Sequence, residues 1–356
     1  MTADLRLGTD NFSSHAHTLI ARFTNIPILV VGDVMIDRFI VGRVTRISPE
    51  APVPIVRFES EYVRLGGAAN VAHNLAVLGA RPTLVGIVGD DAAGRTLREQ
   101  LTAAGVNGDG LVVDRSRSTT EKVRVVTERN QQVARIDYEQ DTDASGAVER
   151  AIVDAVGRSA SDAKALLVSD YLKGAITRPV IEALLAHGAP VHRSPLGPAG
   201  EGGSLSGERP PLIVDPKIPH LSCYAGATIV TPNHHEAEVA THIRIRTDDD
   251  AHLAARAFRD RARCEAVLIT RGEHGMWLSE PAAEGSIPAV AREVADVTGA
   301  GDTVVAMLAL ALAAGATMTE AAMLANQAAG IVVGKFGPST VTRDELLAAI
   351  ERARRR

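Results

Sequence analysis

Short runs of Val, Ile and Leu that each break off into a small polar cluster constrain this chain more than any other feature of it. Ile28 to Val31 ends in Gly32 and Asp33, Leu84 to Val88 in Gly89 and Asp90, and Leu166 to Val168 in Ser169 and Asp170. Leu212 to Val214 ends in Asp215, Pro216 and Lys217, Thr228 to Val230 in Thr231, Pro232 and Asn233, and Val267 to Ile269 in Thr270, Arg271 and Gly272. Helical segments separate these runs, and continuous apolar strands alternating with helices are the pattern of a parallel sheet buried on both faces. The expected fold class is therefore α/β with a mostly parallel central sheet. Ligands of open α/β sheets bind beyond the carboxyl ends of the strands, so the polar clusters are expected to converge on one crevice.

Two stretches break the alternation. Between Phe39 and Tyr62, and between Thr119 and Ile136, strand-like segments (Val53 to Phe58, Val123 to Val126, Val133 to Ile136) follow one another without helices, and residues 127–132 read as a hairpin turn. Each stretch leaves the main sheet and returns to it. That predicts a small antiparallel sheet over the crevice, a lid formed by about residues 38–64 and 118–137. Residues 190–211 hold ten Gly or Pro in 22 positions and enter the Leu212 strand at its amino end, so a flexible surface loop away from the chemistry is expected there. The whole of 1–356 then reads as one large domain with this lid.

Composition narrows the function classes. With 46% hydrophobic and 23% charged residues and a formal net charge of -5, the chain reads as an ordinary soluble globular protein with a sizeable core. Its one basic cluster, Arg352 and Arg354 to Arg356, reads as a solvated helix end, so no nucleic-acid partner is expected. Cys223 and Cys264 fit neither a disulfide framework nor a zinc spacing, which points to a reducing cytoplasm. Asp4, Arg6 and Asp10 precede any apolar run, unlike a signal peptide. The longest uncharged stretch, Thr303 to Thr319, is too short for a membrane span and reads as a buried helix.

Three motifs could carry chemistry. Asp296-Val297-Thr298-Gly299-Ala300-Gly301-Asp302 runs straight into the uncharged helix. Its glycines let backbone approach a ligand, the amides of Ala300, Gly301 and Asp302 at a helix N-terminus make an anion hole for a phosphate, and Asp302 could act as a base beside it. An acidic helix cap explains the same residues. Gly66-Gly67-Ala68-Ala69-Asn70 opens another helix, with Asn70 able to meet hydroxyl groups, though tight helix packing accounts for the glycines equally. In Thr231-Pro232-Asn233-His234-His235-Glu236, Asn and Glu three apart suit either water-bridged Mg²⁺ near nucleotide phosphates or a capping box. Adjacent histidines diverge on a helix, so His234 and His235 do not read as a zinc pair. Carboxylates and lysines at other strand ends, Asp33, Asp37, Asp170, Lys173, Asp215 and Lys217, are of the types that orient polyol hydroxyls and neutralise phosphates.

In this order and over nearly the whole chain, Gly66 to Asn70, Asn233 to Glu236 and Gly299 to Asp302 resemble the signatures of ribokinase-like (PfkB) sugar kinases. Gly32 to Arg38, Arg46 to Pro54, Arg129 to Gln132 and Ser169 to Gly174 are similar to the D-glycero-D-manno-heptose 7-phosphate kinase branch of that family. The resemblance implies a three-layer sandwich and ATP-dependent phosphorylation of the anomeric hydroxyl of that heptose 7-phosphate. The product would be heptose 1,7-bisphosphate, for ADP-heptose and lipopolysaccharide core synthesis. Many members are fused to an adenylyltransferase. No nucleotidyltransferase histidine motif stands in this sequence, so that activity is expected from another protein.

By the same resemblance Asp302 is the catalytic base beside Gly299, Ala300 and Gly301. Asn233, His234, His235 and Glu236 border ATP and Mg²⁺, with Asn233 and Glu236 holding the metal through water. Thr270, Arg271 and Gly272 lie at the nucleotide phosphates, and Asp33, Gly67 and Asn70 at the sugar, where Asp37 is a further candidate by its place beside the end of the first strand. Arg46, Arg135 and Lys173 are candidates for the distal phosphate by charge and position. A monovalent cation and a homodimer built on the lid are further expectations. The alternatives are a PfkB kinase for another sugar or sugar phosphate, and a non-catalytic sensor of sugar phosphates or nucleotides.

Overall fold

A computed structural model describes residues 9–188, 209–290 and 294–354. The strands in chain order are β1 (Pro27–Gly32), β2 (Val34–Ile47), β3 (Pro54–Gly67), β4 (Arg81–Val88), β5 (Asn107–Val113), β6 (Thr120–Thr127), β7 (Gln132–Tyr138), β8 (Ala165–Ser169), β9 (Leu212–Asp215), β10 (Ile229–Val230), β11 (Ala266–Thr270), β12 (Met276–Ser279) and β13 (Glu284–Ile287). Nine of them form the main sheet in the order β13-β12-β11-β10-β9-β8-β1-β4-β5, parallel except where β12 and β13 add an antiparallel edge. All six apolar runs are strands of this sheet. β5 and the β12–β13 edge were not foreseen, since β5 (NGDGLVV) is rich in Gly and Asp and the edge strands have only four residues each.

Burial on both faces explains the unbroken apolar runs. Ile28 and Val30 of β1 join one core with the Ala68–Val77, Ala300–Ala313 and Met318–Val332 helices, while Leu29 and Val31 join the other with the Gly146–Ala160, Arg178–His187 and Asp248–Ala262 helices. The uncharged stretch is the Ala300–Ala313 helix, buried from Asp302 to Leu312. Among the described residues no helix is long and apolar enough to cross a membrane. Cys223 and Cys264 are both free thiols.

The second sheet grows out of the first, because Gly32 ends β1 and Val34 begins β2 with only Asp33 between them. Its order is β3-β2-β6-β7. An antiparallel sheet was expected, but β2 and β6 run parallel, so the sheet is mixed. The reason is connection: β4, β5 and two helices intervene between β3 and β6, so β6 joins β2 by a crossover rather than a hairpin. Residues 127–132 do make the expected tight connection from β6 to β7. The 190–211 loop lies, apart from 209–211, outside the described residues.

The chain leaves β1 toward β4 and β5 on one side and later fills the other side with β8 to β11, so the strand order reverses between β1 and β8. The crevice at such a switch point is where an open α/β sheet takes its ligand. Gly32 permits the close approach there, since a Cβ on it would stand 2.2 Å from the Ser169 carbonyl oxygen. Leu308, fully buried in the central helix, carries the test of the packing. Leu308→Ala is expected to cost about 2–5 kcal/mol, read as a lower urea midpoint at unchanged m-value.

Candidate active site

Asp302 stands in the crevice at the start of the central helix. Gly299 adopts the left-handed conformation (φ 79°) that turns the chain into the helix. The Ala300 amide is used by the Val297 carbonyl at 3.2 Å, so the expected three-amide hole narrows to Gly301 and Asp302, whose amides make no backbone bond among the described residues. A Cβ on Gly301 would meet nothing within 4 Å, which leaves open space for a ligand in front of those donors. The Asp302 carboxylate itself is 5% exposed. Asn70 donates from Nδ2 to its Oδ2 and the Tyr171 hydroxyl donates to its Oδ1, both at 2.7 Å. Burial pushes this carboxyl up to about 6; Asp37 adds to the rise, while the Asn70 and Tyr171 hydrogen bonds and the Lys217 ammonium oppose it.

Beside the helix end lies an apolar cleft of about 380 Å³ whose walls include Met276, Val290, Val297 and Val304, with Thr270 and Gly272 at its lining. Arg271, between those two, is 9% exposed. Its Nη2 donates to Asp248 Oδ1 at 2.7 Å, but its buried Nη1 has no partner among the described residues. A buried guanidinium nitrogen without an acceptor fits an anionic oxygen of a ligand.

Asn233 and Glu236 form a full capping box, each accepting the other's amide at 2.9 Å. The remaining Glu236 oxygen accepts from Lys217 Nζ. Thus the motif caps its helix and also presents a carboxylate to the crevice. Nearby Asp215 is raised well above the usual carboxylate range by burial; Lys217 opposes that rise, and Asp302, Glu236 and Asp170 add to it. Among the described residues there is no cluster of three or more His, Cys, Asp or Glu that could hold a metal. One carboxylate and one amide beside surplus negative charge fit Mg²⁺, which takes few protein oxygens and keeps several waters. His234 and His235 do not diverge as expected: their ring centroids are 4.0 Å apart. They open the helix, where no preceding turn crowds them apart.

On the opposite side the glycine motif is required by close approach. A Cβ on Gly66 would fall 2.6 Å from Asp37 Oδ2, and one on Gly67 (φ 54°) 2.5 Å from the Asp33 carbonyl oxygen. Asp37 is buried at the crevice, whereas the Asp33 side chain, expected at the sugar, is committed elsewhere. Its Oδ2 accepts the amides of Tyr171 (2.8 Å) and Lys173 (3.0 Å) and its Oδ1 that of Ala175 (2.9 Å).

The small sheet turns one face toward this site. Asp37 is paired across the strands with Arg64 and Lys122, Phe39 with Tyr62 and Arg124, and Arg124 with Arg135, and directly paired residues share a face. Phe39 stacks on Tyr62 at 4.9 Å, and Arg124 lies 5.5 Å over the Phe39 ring while bonding the Asp37 carboxylate. Of the cations expected together, only Arg135 is on this face. Arg46 stands nine positions beyond Asp37 on β2, a span of roughly 25–30 Å in extended chain. Lys173 Nζ is engaged by Glu139 at 3.1 Å and by Asp141. Lys217 was among the strand-end lysines expected to neutralise phosphates, whereas Tyr171, directly after the Ser169-Asp170 strand end, was given no role of its own. Arg124 was not singled out, because only cross-strand register brings it to Asp37.

The raised carboxyl has a consequence for stability. Asp302 loses its proton near 3.8 in an ordinary setting and at about 6 in the folded chain. The folded state therefore holds that proton more tightly, and stability falls as pH rises between the two values, by about 3 kcal/mol once ionisation is complete. Asp302→Asn is expected to exceed the parent by about 1–3 kcal/mol at pH near 8, fading toward pH 4. Urea midpoints measured at both pH values check this; a difference independent of pH would remove the electrostatic explanation.

Comparison with known proteins identifies the family and the fold. The family model for pfkB family carbohydrate kinases matches residues 26–345. The chain is 44% identical over 331 residues to the bifunctional protein HldE of Citrifermentans bemidjiense, covering 92% of this chain and 64% of that protein. It is 45% identical over 323 residues to HldE of Pelobacter propionicus, covering 90% and 62%. It thus spans less than two thirds of the length of these curated relatives. Among solved structures, Arabidopsis thaliana ribokinase complexed with ribose and ATP superposes with a TM-score of 0.68 at 21% identity, over 92% of this chain and 99% of that one. Escherichia coli phosphofructokinase-2 in complex with potassium gives 0.72 at 18% identity, over 94% and 100%. These likenesses show the ribokinase-like fold. The chain therefore belongs to the pfkB family of carbohydrate kinases.

Proposed function

We propose that the chain transfers the terminal phosphoryl group of ATP to the anomeric hydroxyl of D-glycero-D-manno-heptose 7-phosphate, giving heptose 1,7-bisphosphate and ADP. The observation that carries this reading is Asp302: an aimed, buried carboxylate next to two helix amides that make no backbone bond among the described residues, facing a sheet whose cations suit a second phosphate. The motif resemblance to the heptose 7-phosphate kinase branch and the relatives named HldE support the choice of sugar.

In this reading the apolar cleft takes the adenine, with Thr270, Arg271 and Gly272 at the phosphates and His234 and His235 at the rim. The Gly299-Ala300-Gly301 turn brings the Gly301 and Asp302 amides to the transferring group, whose equatorial oxygens carry the charge of a loose transition state. Mg²⁺, held by Asn233 and Glu236 through water, supplies charge neutralisation when bound. Lys217 adds a protein cation nearby. Asp37, Asn70 and Gly67 meet the sugar, and Lys122, Arg124 and Arg135 meet its distal phosphate, in place of Arg46 and Lys173. Asp302 accepts the proton of the anomeric oxygen as the new P–O bond forms and the bond to ADP breaks. A base with a pKa of about 6 is mostly ionised at neutral pH yet still basic enough for that task.

The small sheet acts as a lid that excludes water from the transfer. Its outward face carries exposed Val44, Phe58, Ile136 and Tyr138, which we assign to contact with a second copy. A monomer by light scattering at working concentration would dismiss the homodimer. We place the reaction in the cytoplasm, where ATP is supplied, and leave a monovalent cation as a dependence to be read from rates in potassium, sodium and lithium salts.

Mass detection of a bisphosphate from synthetic heptose 7-phosphate, ATP and Mg²⁺ tests the reaction. Preference for fructose 6-phosphate or ribose would make the chain a pfkB kinase for another sugar, and absence of ATP turnover with any sugar would make it a sensor. Asp302→Asn is expected to lower kcat by about 10²-fold or more with little change in ATP affinity. Lys122→Ala and Arg124→Ala are each expected to cost about 10-fold or more in kcat/KM for the sugar phosphate and much less for the dephosphorylated sugar, the pattern of lost charge-assisted contacts. Equal losses on both sugars would move the distal phosphate elsewhere.

A further inference from the structure

We propose that Tyr171 is a positioning residue for the base: its hydroxyl, delivered by a loop that Asp33 and Asp170 lock in place, holds one oxygen of Asp302 and keeps that carboxylate aimed and ionised for the acceptor hydroxyl. The inference rests on Asp302 acting as the base.

The loop begins where β8 ends, at the switch point. Asp33 accepts the amides of Tyr171, Lys173 and Ala175, so the last residue before the small sheet anchors the loop from below. Asp170, fully buried, accepts the Leu172 amide at 2.8 Å on Oδ1 and pairs through Oδ2 with the Tyr224 hydroxyl and with His220 Nδ1, each at 2.6 Å. Leu172 (φ 56°) and Gly174 (φ 90°) both sit in the left-handed region, a conformation costly for leucine that persists because these bonds over-determine it. Four loop amides are thus tied to two carboxylates, and the one side chain this places against the base is Tyr171.

Asp302 then receives one donor on each oxygen from separate layers of the molecule: Asn70 from the helix after β3 and Tyr171 from the end of β8. Each oxygen keeps a lone pair, so the plane of the carboxylate is fixed without blocking a substrate hydroxyl. The Asn70 side chain is itself held, its Oδ1 accepting from Asn74 Nδ2 at 3.4 Å. The Tyr171 hydroxyl is not an acid in this setting. Burial, and then the charges of Asp302 and Asp215, push its own pKa well above the ordinary phenol value, so it remains a donor throughout the working range. The other charged groups facing Asp302 are Asp37 from β2, Asp215 and Lys217 from the end of β9; Asp37 disfavours its ionised form and Lys217 favours it. Lys217 Nζ also lies 5.5 Å over the Tyr171 ring while bonded to Glu236.

Tyr171→Phe removes the hydroxyl at nearly constant volume. Losing a donor to a charged acceptor is expected to displace the acid limb of the kcat profile upward by about one to two pH units. At pH 6.5 kcat should fall by about 3-fold to 25-fold, with recovery toward the parent near pH 9 and KM for ATP unchanged. Replacing Tyr171 by 3,5-difluorotyrosine, a stronger donor, should move the limb the other way. The ¹³C carboxyl titration of Asp302 in the ligand-free protein, its resonance assigned by loss in Asp302→Asn, should shift in the same two directions. A Tyr171→Phe profile and carboxyl titration coincident with the parent, or a loss of kcat uniform across pH, overturns the proposal. Turnover preserved in Asp302→Asn would instead sink the base assignment, and the carboxyl titration would still report whether Tyr171 controls that group.

Discussion

Burying one carboxylate at the meeting point of three chain segments is the constraint that organises this protein. Asp302 lies at the N-terminus of a helix with no other charged residue, so nothing within that helix can satisfy it. The donors that do come from the Ala68–Val77 helix and from the end of β8, 232 and 131 residues away in sequence. Removing an ionised group from water is costly unless it is hydrogen-bonded. The folded chain tolerates it only by bringing those distant elements to fixed positions, and the raised pKa of about 6 is the residue of that cost. Sites that hold a strained charge in this way commonly trade stability for activity.

The same requirement explains the corner between the two sheets. Gly32 and the Gly66-Gly67 pair bring β1, β2, β3 and β8 within distances that no side chain would allow. The small sheet is thereby an extension of β1 rather than an attached module, and its polar face is aimed at the helix end by covalent connection. The two sheets meet beside Asp302 because β1 of one runs through Asp33 directly into β2 of the other.

Much of this was legible in the sequence. The six apolar runs appear as strands of the main sheet, since burial on both faces leaves an uninterrupted signal that needs no neighbour to interpret. The turn at Gly299 and the Asn233–Glu236 box were readable for the same reason: both are local, set by φ and by hydrogen bonds three residues apart. Less was legible for the strands whose signal is weak, such as the Gly- and Asp-containing β5, and for the parallel pairing of β2 with β6, which depends on the connection and not on either segment.

The amino-acid order by itself determined the layers, the crevice at the strand ends and the helix whose first residues can meet a phosphate, because periodicity, glycine conformation and capping act over a few residues. Only the tertiary structure decided which carboxylates remain available. Asp33 and Asp37 are four positions apart and alike in sequence, yet one is consumed by three backbone amides and the other faces Arg124 across a strand pair. Likewise Tyr171 rather than Lys173 reaches the centre of the site, and Arg124 rather than Arg46 shares a face with it. Those outcomes follow from register and from competition for hydrogen-bond partners between residues far apart in the chain, which no local pattern encodes.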